Sequence, residues 1–546
     1  MPAAGFSEPI KKLFTFQRTF LLILLTGIII RFYFLDLKLF HHDEAIHAWF
    51  SFELLTKGSW MYDPSYHGPF LYYVTAGMFA MFQDSDLVAR LLPSLFGTLI
   101  IFLVYCIHRL GYFNKKQTLI AALFLAVSPD MVYFSRFLRH DIFMLFFTFL
   151  LVVALLCYFE RGQTRFAILA AIAMAGSLCC KEEMPVILII FAGFFIYAVW
   201  RGRFSLPPQW KTDLFIGAVI IAAIMGVLYS AFGTHVETLT GNGFNLTTSG
   251  WYQAIEHWSA MHSQQRLGGP WFFYIPLLLL YEIPIFVLAI IGTIQFLVSG
   301  TRFTLTLKRA KNWAVNRSFS LPVSDLADAS LRQLAAKDTG YVKSDEFFRF
   351  CIWWMLLSMA FYAYVGEKVP WLLIHQLLPM TFVAVYRLSW PKVTFALIGT
   401  IFLVAMTWHV AFVPVDINEP IVQVQNSEDM RVVMDLIDNA DRVILASKDY
   451  WPLPWYYRGE KWEKITMYGD RVDASTLTDP QPGVIIMHDT ESYGSLDGYN
   501  KTTYRLGYWF SFYDNQDRLF EYYLHRDGTM GSINIDVFTR QNVTNS

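Results

Sequence analysis

Charge is scarce in this chain. Only 16% of its 546 residues are Asp, Glu, Lys or Arg, against 55% hydrophobic, and the formal net charge is -1. So even a balance offers no basic surface, and nucleic acid is excluded as an expected partner. Cysteine is scarce too. Cys106, Cys157, Cys179, Cys180 and Cys351 all fall inside or at the ends of apolar runs, which leaves no disulfide framework and no C-x-x-C metal pattern. The adjacent Cys179 and Cys180 read as small packing residues of a helix. The sequence also lacks the ~10-residue alternating segments of a membrane β-barrel. It has no internal repeat of the kind that marks inverted-repeat transporters.

What it has instead is long apolar blocks. Candidate spans fall at 19–36, 86–109, 117–134, 141–159, 166–180, 184–200, 213–232, 271–298, 347–365, 371–387 and 393–413. A hydrocarbon core of ~30 Å asks for about 18 or more such residues in a helix. Lys11, Lys12 and Arg18 precede the first run and no small-residue cleavage site follows it, so it reads as a retained span. Short loops on one side collect most of the cations, Arg109, Lys115, Lys116, Arg161, Arg165, Arg201 and Arg387 among them. The other side has only Lys38, Lys57, Arg136, Arg139, Lys181, Arg266 and Lys368. Cytoplasmic loops carry the excess of Lys and Arg. The expectation is a polytopic all-α membrane domain over 1–413 with about eleven transmembrane helices, in the plasma membrane, its N-terminus cytoplasmic.

The tail, 414–546, then lies outside and reads as an α/β domain. Met430, Val433, Met434 and Ile437 have helical spacing, and the apolar runs at 442–447 and 483–487 look like buried strands. A first outer loop, 36–90, is too long for a simple connection, and its apolar stretch 69–82 suits an interfacial helix. The segment 301–345 reads as a partly helical cytoplasmic connection.

Ionisable groups at a membrane edge need a reason to be there. The densest set follows the first span: His41, His42, Asp43, Glu44 and His47, then Asp63 and His67. A second is Ser135-Arg136-Phe137-Leu138-Arg139-His140-Asp141. A third is Lys181-Glu182-Glu183. A fourth holds His257, His262 and Arg266, and a fifth Glu367, Lys368 and His375. All five fall on one membrane face. Snorkelling accounts for a lone arginine there, but not for carboxylates and histidines beside it. Those can act as bases or metal ligands, and Arg and Lys suit a phosphate head group. Together they suit group transfer from a lipid phosphate.

These residues resemble a known pattern. Asp43-Glu44 after the first span, His67-Gly68-Pro69-Phe70-Leu71-Tyr72, Arg90, and Ser135-Arg136 through Asp141 resemble the first two outer loops of protein O-mannosyltransferases, glycosyltransferase family 39. The resemblance covers roughly the first 290 residues, with Gly68 where the family has the first proline of its His-Pro-Pro segment. Gly366-Glu367-Lys368-Val369-Pro370-Trp371 and Trp451-Pro452-Leu453-Pro454-Trp455-Tyr456 look like a prokaryotic flippase-associated subfamily of archaeal glycosylation clusters.

The resemblance implies a GT-C-like fold and transfer of a sugar from a polyprenyl-phosphate donor to an extracytoplasmic protein, lipid or glycan acceptor. By the same resemblance, Asp43 is the base of an inverting reaction and Glu44 orients the acceptor or binds metal. Arg136, Arg139, Lys181, Arg266 and Lys368 are candidates for the donor phosphate. His42, His67, His140, Asp141 and His262 are left to hold a divalent ion or to support the loop. A lipid-linked sugar flippase and a non-catalytic scaffold are the alternatives. An oligosaccharyltransferase would carry a Trp-Trp-Asp-Tyr-Gly motif, which the tail lacks.

Overall fold

The computed structural model describes residues 15–58, 60–264, 269–299, 341–478 and 480–541. Apolar sequence and local caps explain most of its helices. α1 is Phe16–Phe32, α2 His42–Lys57, α3 Phe70–Phe82 and α4 Asp86–Arg109. α5 (Lys115–Val127) and α6 (Pro129–Ser135) form a bent pair. α7 is His140–Arg161, α8 Thr164–Leu178, α9 Met184–Trp200, α10 Trp210–Tyr229 and α11 Gly250–Gln264. α12 (Tyr274–Tyr281) and α13 (Ile283–Ser299) form a second bent pair, before α14 Tyr341–Tyr364, α15 Leu373–Ala384 and α16 Trp390–Phe412. Ser85 caps α4 through the Val88 N–H, and Asn114 and Gln117 cap α5 reciprocally.

Each of the eleven expected stretches is helical, but their lengths differ from the expectation. Among the described residues, α4, α7, α10, α14 and α16 are long and apolar enough to cross a membrane, and up to seven spans result if each bent pair counts as one. α1, α8, α9 and α15 have 17, 15, 17 and 12 residues. The stretch 117–134 bends by 56° at Ser128, and 271–298 bends by 113° at Glu282. Pro129 and Pro284 follow the two breaks and lack the N–H that would continue the helical ladder. The breaks also meet: Ser128 Oγ and the Asp130 N–H both donate to Glu282 Oε1. Most of the connection 301–345 lies outside the described residues.

The tail forms a six-stranded mixed sheet. Its strands are β1 Gln425–Asn426, β2 Val443–Ala446, β3 Ile465–Met467, β4 Val484–His488, β5 Tyr499–Phe510 and β6 Met530–Arg540, in the order β1-β5-β6-β4-β2-β3. β2 runs parallel to β3 and β4, and the other pairings are antiparallel. Alternate residues serve opposite faces. Val443, Leu445, Val484 and Ile486 pack under helix α17 (Met430–Asp438), while Ile444, Ala446, Ile485 and Met487 form a core on the other side.

This domain is tied to the long loop 36–90. Gln425 Nε2 donates to the Leu39 carbonyl (3.0 Å) and Asn426 Nδ2 to that of Phe40 (2.6 Å). Trp455 Nε1 and the Tyr456 hydroxyl each donate to Asp86 at 2.7 Å, and Arg458 pairs with Asp84. The Trp451–Tyr456 motif is therefore a clasp between tail and membrane domain.

Candidate active site

The long loop 36–90 builds the site: the helix expected over its apolar stretch 69–82 is α3, and a second helix, α2, forms in the polar stretch where none was expected. His41 caps α2: its Nδ1 accepts from the Asp43 N–H (3.0 Å), and Glu44 Oε2 accepts from the His41 N–H (3.0 Å). Gly58 ends the helix in the left-handed region at φ +74°. Consecutive helical residues point about 100° apart, so Asp43 and Glu44 face different surroundings.

Glu44 turns inward. Arg90 Nε and Nη2 grip its two oxygens at 2.8 and 2.6 Å, and the Leu138 N–H donates to it at 2.8 Å. With the His41 N–H these donors saturate the carboxylate, and the residue is buried. The expectation that Glu44 orients the acceptor or binds metal is corrected: it positions α2. Arg90 completes the lock by donating to the carbonyls of Leu35, Lys38 and Leu39.

Asp43 turns outward, into a cavity of about 890 Å³. His41, His42, His47 and Pro64–His67 supply one wall, with Arg139 and Lys181–Glu183 beside them. His257 and Trp258 of α11, Trp371, and Gln423, Val424, Asp449 and Ile533 of the tail close the rest. Asp43 keeps 31% of its side chain exposed and accepts from Arg139 Nη1. Arg139 Nε also reaches Asp141 Oδ2 (3.4 Å), and its guanidinium lies 3.7 Å from the Trp371 ring centre. Lys181 Nζ donates to Asp141 Oδ1 at 3.0 Å and stands 3.3 Å from Glu183. Two cations are thus held over buried carboxylates at the cavity wall.

Burial pushes the Asp43 carboxyl up, but Arg139 and the neighbouring histidines outweigh it and hold the group below the usual carboxylate range. Burial pulls the His41 imidazole down to about 4 and that of His47 to about 3, so both are neutral at physiological pH. The Tyr72 hydroxyl donates its one proton to the Tyr66 carbonyl (2.6 Å). His47 Nδ1, 2.9 Å from the same oxygen, must therefore be the protonated nitrogen. For Lys181, burial works downward, but Asp141 and Glu183 win and raise its pKa. It is a fixed positive charge.

A tight backbone contact aligns the two halves of this wall. The Gly68 N–H donates to the Cys180 carbonyl and the Phe70 N–H to that of Cys179, both at 3.0 Å. A Cβ on Gly68 would stand 2.2 Å from the Cys179 oxygen, so only glycine fits. Beside it His67 holds φ +66°, a strained value for a side-chain-bearing residue, with its Nδ1 2.9 Å from Glu182 Oε2. The Cys179–Cys180 turn thereby presents Lys181, Glu182 and Glu183 to the first outer loop.

Other expected site residues stand elsewhere. Arg136 is outside the cavity. Its guanidinium donates to the carbonyls of Ile30, Arg31, Tyr33 and Phe34 and so satisfies the end of α1. Lys368 donates its ammonium to the carbonyls of Tyr362, Ala363 and Val365 at the end of α14. Its stem lines a neighbouring apolar groove of about 360 Å³, which shares Gln423 with the main cavity. His140 Nε2 is 3.0 Å from the Gly68 carbonyl, a structural contact. His42 lines the cavity. Arg266 and the side chain of His262 lie outside the described residues.

The groups brought together among the described residues do not fit a metal ion. Among the described residues no three His, Cys, Asp or Glu side chains are grouped to hold one. Asp141, the expected ligand, faces Lys181, Arg139 and His375 Nε2 (3.5 Å). Asp449 and Gln423 were missed from sequence. The signal for Asp449 is its place just beyond the carboxyl end of a buried parallel strand, where open α/β sheets put ligands.

Residues 66–229 match the family model described as dolichyl-phosphate-mannose-protein mannosyltransferase. No curated protein matches the chain by sequence. Among solved structures, ArnT from Cupriavidus metallidurans bound to undecaprenyl phosphate aligns with a TM-score of 0.53 at 13% identity, over 89% of this chain and 94% of that one. Its apo state aligns equally well, at 14% identity. The archaeal oligosaccharyltransferase AglB from Archaeoglobus fulgidus, in complex with an inhibitory peptide and a dolichol-phosphate, aligns with a TM-score of 0.50 at 13% identity, over 88% and 70% of the two chains. The fold is that of GT-C proteins. Fold and family model together class the chain as a multi-pass membrane glycosyltransferase, similar to glycosyltransferase family 39.

Proposed function

We propose that this glycosyltransferase moves a sugar from a polyprenyl-phosphate donor to an acceptor hydroxyl on the outer face of the membrane, inverting the anomeric carbon, with Asp43 as base. The observation that carries this reading is the position of Asp43. Of the Asp43-Glu44 pair it is the carboxylate that reaches the cavity, and two lasting cations, Arg139 and Lys181, stand at the same wall.

In the reaction, Asp43 takes the proton of the acceptor hydroxyl while its oxygen attacks the anomeric carbon. The bond from that carbon to the phosphate oxygen breaks on the opposite face, and its electron pair leaves with the phosphate. Positive charge held at the phosphate stabilises it as it leaves. Arg139 is the group placed to do so, with Lys181 behind it. An arriving phosphate competes with Asp43 for Arg139, and losing that ion pair makes Asp43 a stronger base. Donor binding therefore arms the base. The apolar groove beside Gln423 suits the isoprenoid chain. Gln423, Val424, Asp449 and Ile533 roof the acceptor side, and the Lys and Arg asymmetry supports a cytoplasmic N-terminus with the tail outside.

Asp43→Asn tests the reading, because Asn keeps the volume of Asp but cannot accept a proton at neutral pH. General-base catalysis contributes about 10²–10⁴ in rate. Turnover of a polyprenyl-phosphate-linked sugar should fall by that order with the protein still folded. Near-parental turnover would remove Asp43 as the base and favour the flippase or scaffold reading.

A further inference from the structure

The tail bears an apolar face that its own fold does not use. After β5 the chain makes a short helical segment that ends in α18 (Leu519–His525). Tyr522 points into the core, but Phe520 is 76% exposed, Leu524 57% and the preceding Tyr513 61%. Residues 520 and 524 share one face of the helix. Charges do not cover it: Asp514, Asp517 and Glu521 lie on the same segment, exposed and interspersed with Arg518.

The position of this face says what covers it. The Tyr523 hydroxyl donates to the Leu279 carbonyl of α12 at 2.8 Å, on the outer arm of a bent membrane helix pair. Leu279 is itself exposed, and Trp271 and Phe272, also exposed, precede α12. Trp and aromatic neighbours gather at the level of the lipid head groups. The apolar groove near Lys368 lies between α12 and this segment, with Phe512, Tyr513 and Tyr523 in its outer wall. We infer that the segment 512–524 is seated in the outer leaflet, with Tyr513, Phe520 and Leu524 among the lipid chains. The tail then rests in the membrane as well as on the membrane domain, and the groove opens sideways into lipid. Exposed acids on the segment make this an apolar seat, not an attraction to anionic lipid.

The test uses the full chain in nanodiscs of zwitterionic phosphatidylcholine. Nitroxides are placed at Phe520→Cys and Leu524→Cys, and at Asp497→Cys as the reference. Asp497 precedes the far end of the 12-residue β5, about 40 Å from Phe510 at ~3.4 Å per residue. The signal of the labelled parent is subtracted for the native cysteines. Collision with oxygen relative to a water-soluble nickel chelate should be several-fold higher at 520 and 524 than at 497, and insensitive to salt. A ratio at both positions equal to that at 497 would overturn the inference and leave a protein partner as the cover. Should Phe520→Cys fail to fold, Tyr513→Cys gives the same reading.

Discussion

Arg90 grips Glu44 through two nitrogens, at 2.8 and 2.6 Å, with both side chains out of contact with water. Removing one partner of such a pair strands a buried charge and costs about 3–5 kcal/mol. Arg90→Met should therefore lower the thermal midpoint in detergent sharply and reduce the yield of folded protein. Asp43→Asn, at the cavity wall, should lower it much less, because Asp43 is partly exposed and Arg139 keeps Asp141 as a partner. Equal midpoints for Arg90→Met and the parent would show that Glu44 is not held as described.

The two arginines of the Arg136–Asp141 stretch should separate by readout. Arg139→Ala removes a cation at the cavity and should weaken donor use, seen as a raised donor KM and a lowered kcat. Arg136→Ala uncaps the end of α1 and should lower stability with little change in donor KM. Donor titration in nanodiscs beside a melting curve distinguishes them, and a raised donor KM in Arg136→Ala alone would reverse the assignment.

Asp43 must be ionised to accept a proton. Burial raises its pKa, but Arg139 and the histidines lower it more, so the ionised form persists below the usual carboxylate range. The stabilisation of the fold by ionised Asp43 is complete above the unfolded value of about 3.9 and is lost as pH falls through the folded value. The kcat/KM profile of the parent, which reports the free enzyme, should keep any Asp43-dependent acid limb below that range. Arg139→Gln takes away the foremost lowering influence and leaves burial, so the limb should move up in pH. A pH–rate profile measures this, and a limb that stays in place would exclude Asp43 as the titrating base.

Gly68→Ala places a methyl 2.2 Å from the Cys179 carbonyl oxygen. Overpacking of this kind costs about 1–3 kcal/mol. Here the backbone must part from the turn that carries Lys181 and Glu182. The expected outcome is a larger loss of turnover than of thermal stability, and unaltered turnover would mean that the two loops need not stay in register.

Much of the membrane domain was legible because a long apolar run is a local signal. The bends were not. Glu282 and Pro284 are small interruptions in an apolar sequence, and the 113° turn at that point depends on Ser128 and Asp130, about 150 residues away. Site residues were legible as clusters but not as individuals. Asp43 and Glu44 are chemical near-twins whose roles divide by helical rotation. Arg136 and Arg139 differ only in which partners the fold brings to them. Asp449 carries no local mark, since its place in the cavity wall depends on the docking of the whole tail.

That docking also sets a time. The Leu39 carbonyl waits for Gln425 and that of Phe40 for Asn426, each 386 residues later, and the Phe40 N–H waits for Tyr456, 416 residues on. At synthesis rates of ~5–20 residues per second, this delay is roughly 20–80 s. During that interval α2 can be extruded and Arg90 can hold the carbonyls of Leu35, Lys38 and Leu39, but the Phe40 N–H and carbonyl still wait for the tail. The entry to the helix that carries Asp43 is completed only when the tail has been made and folded against it. A half-made chain therefore holds Asp43, Arg139 and Lys181 without a finished cavity around them, and catalysis is among the last properties the molecule acquires.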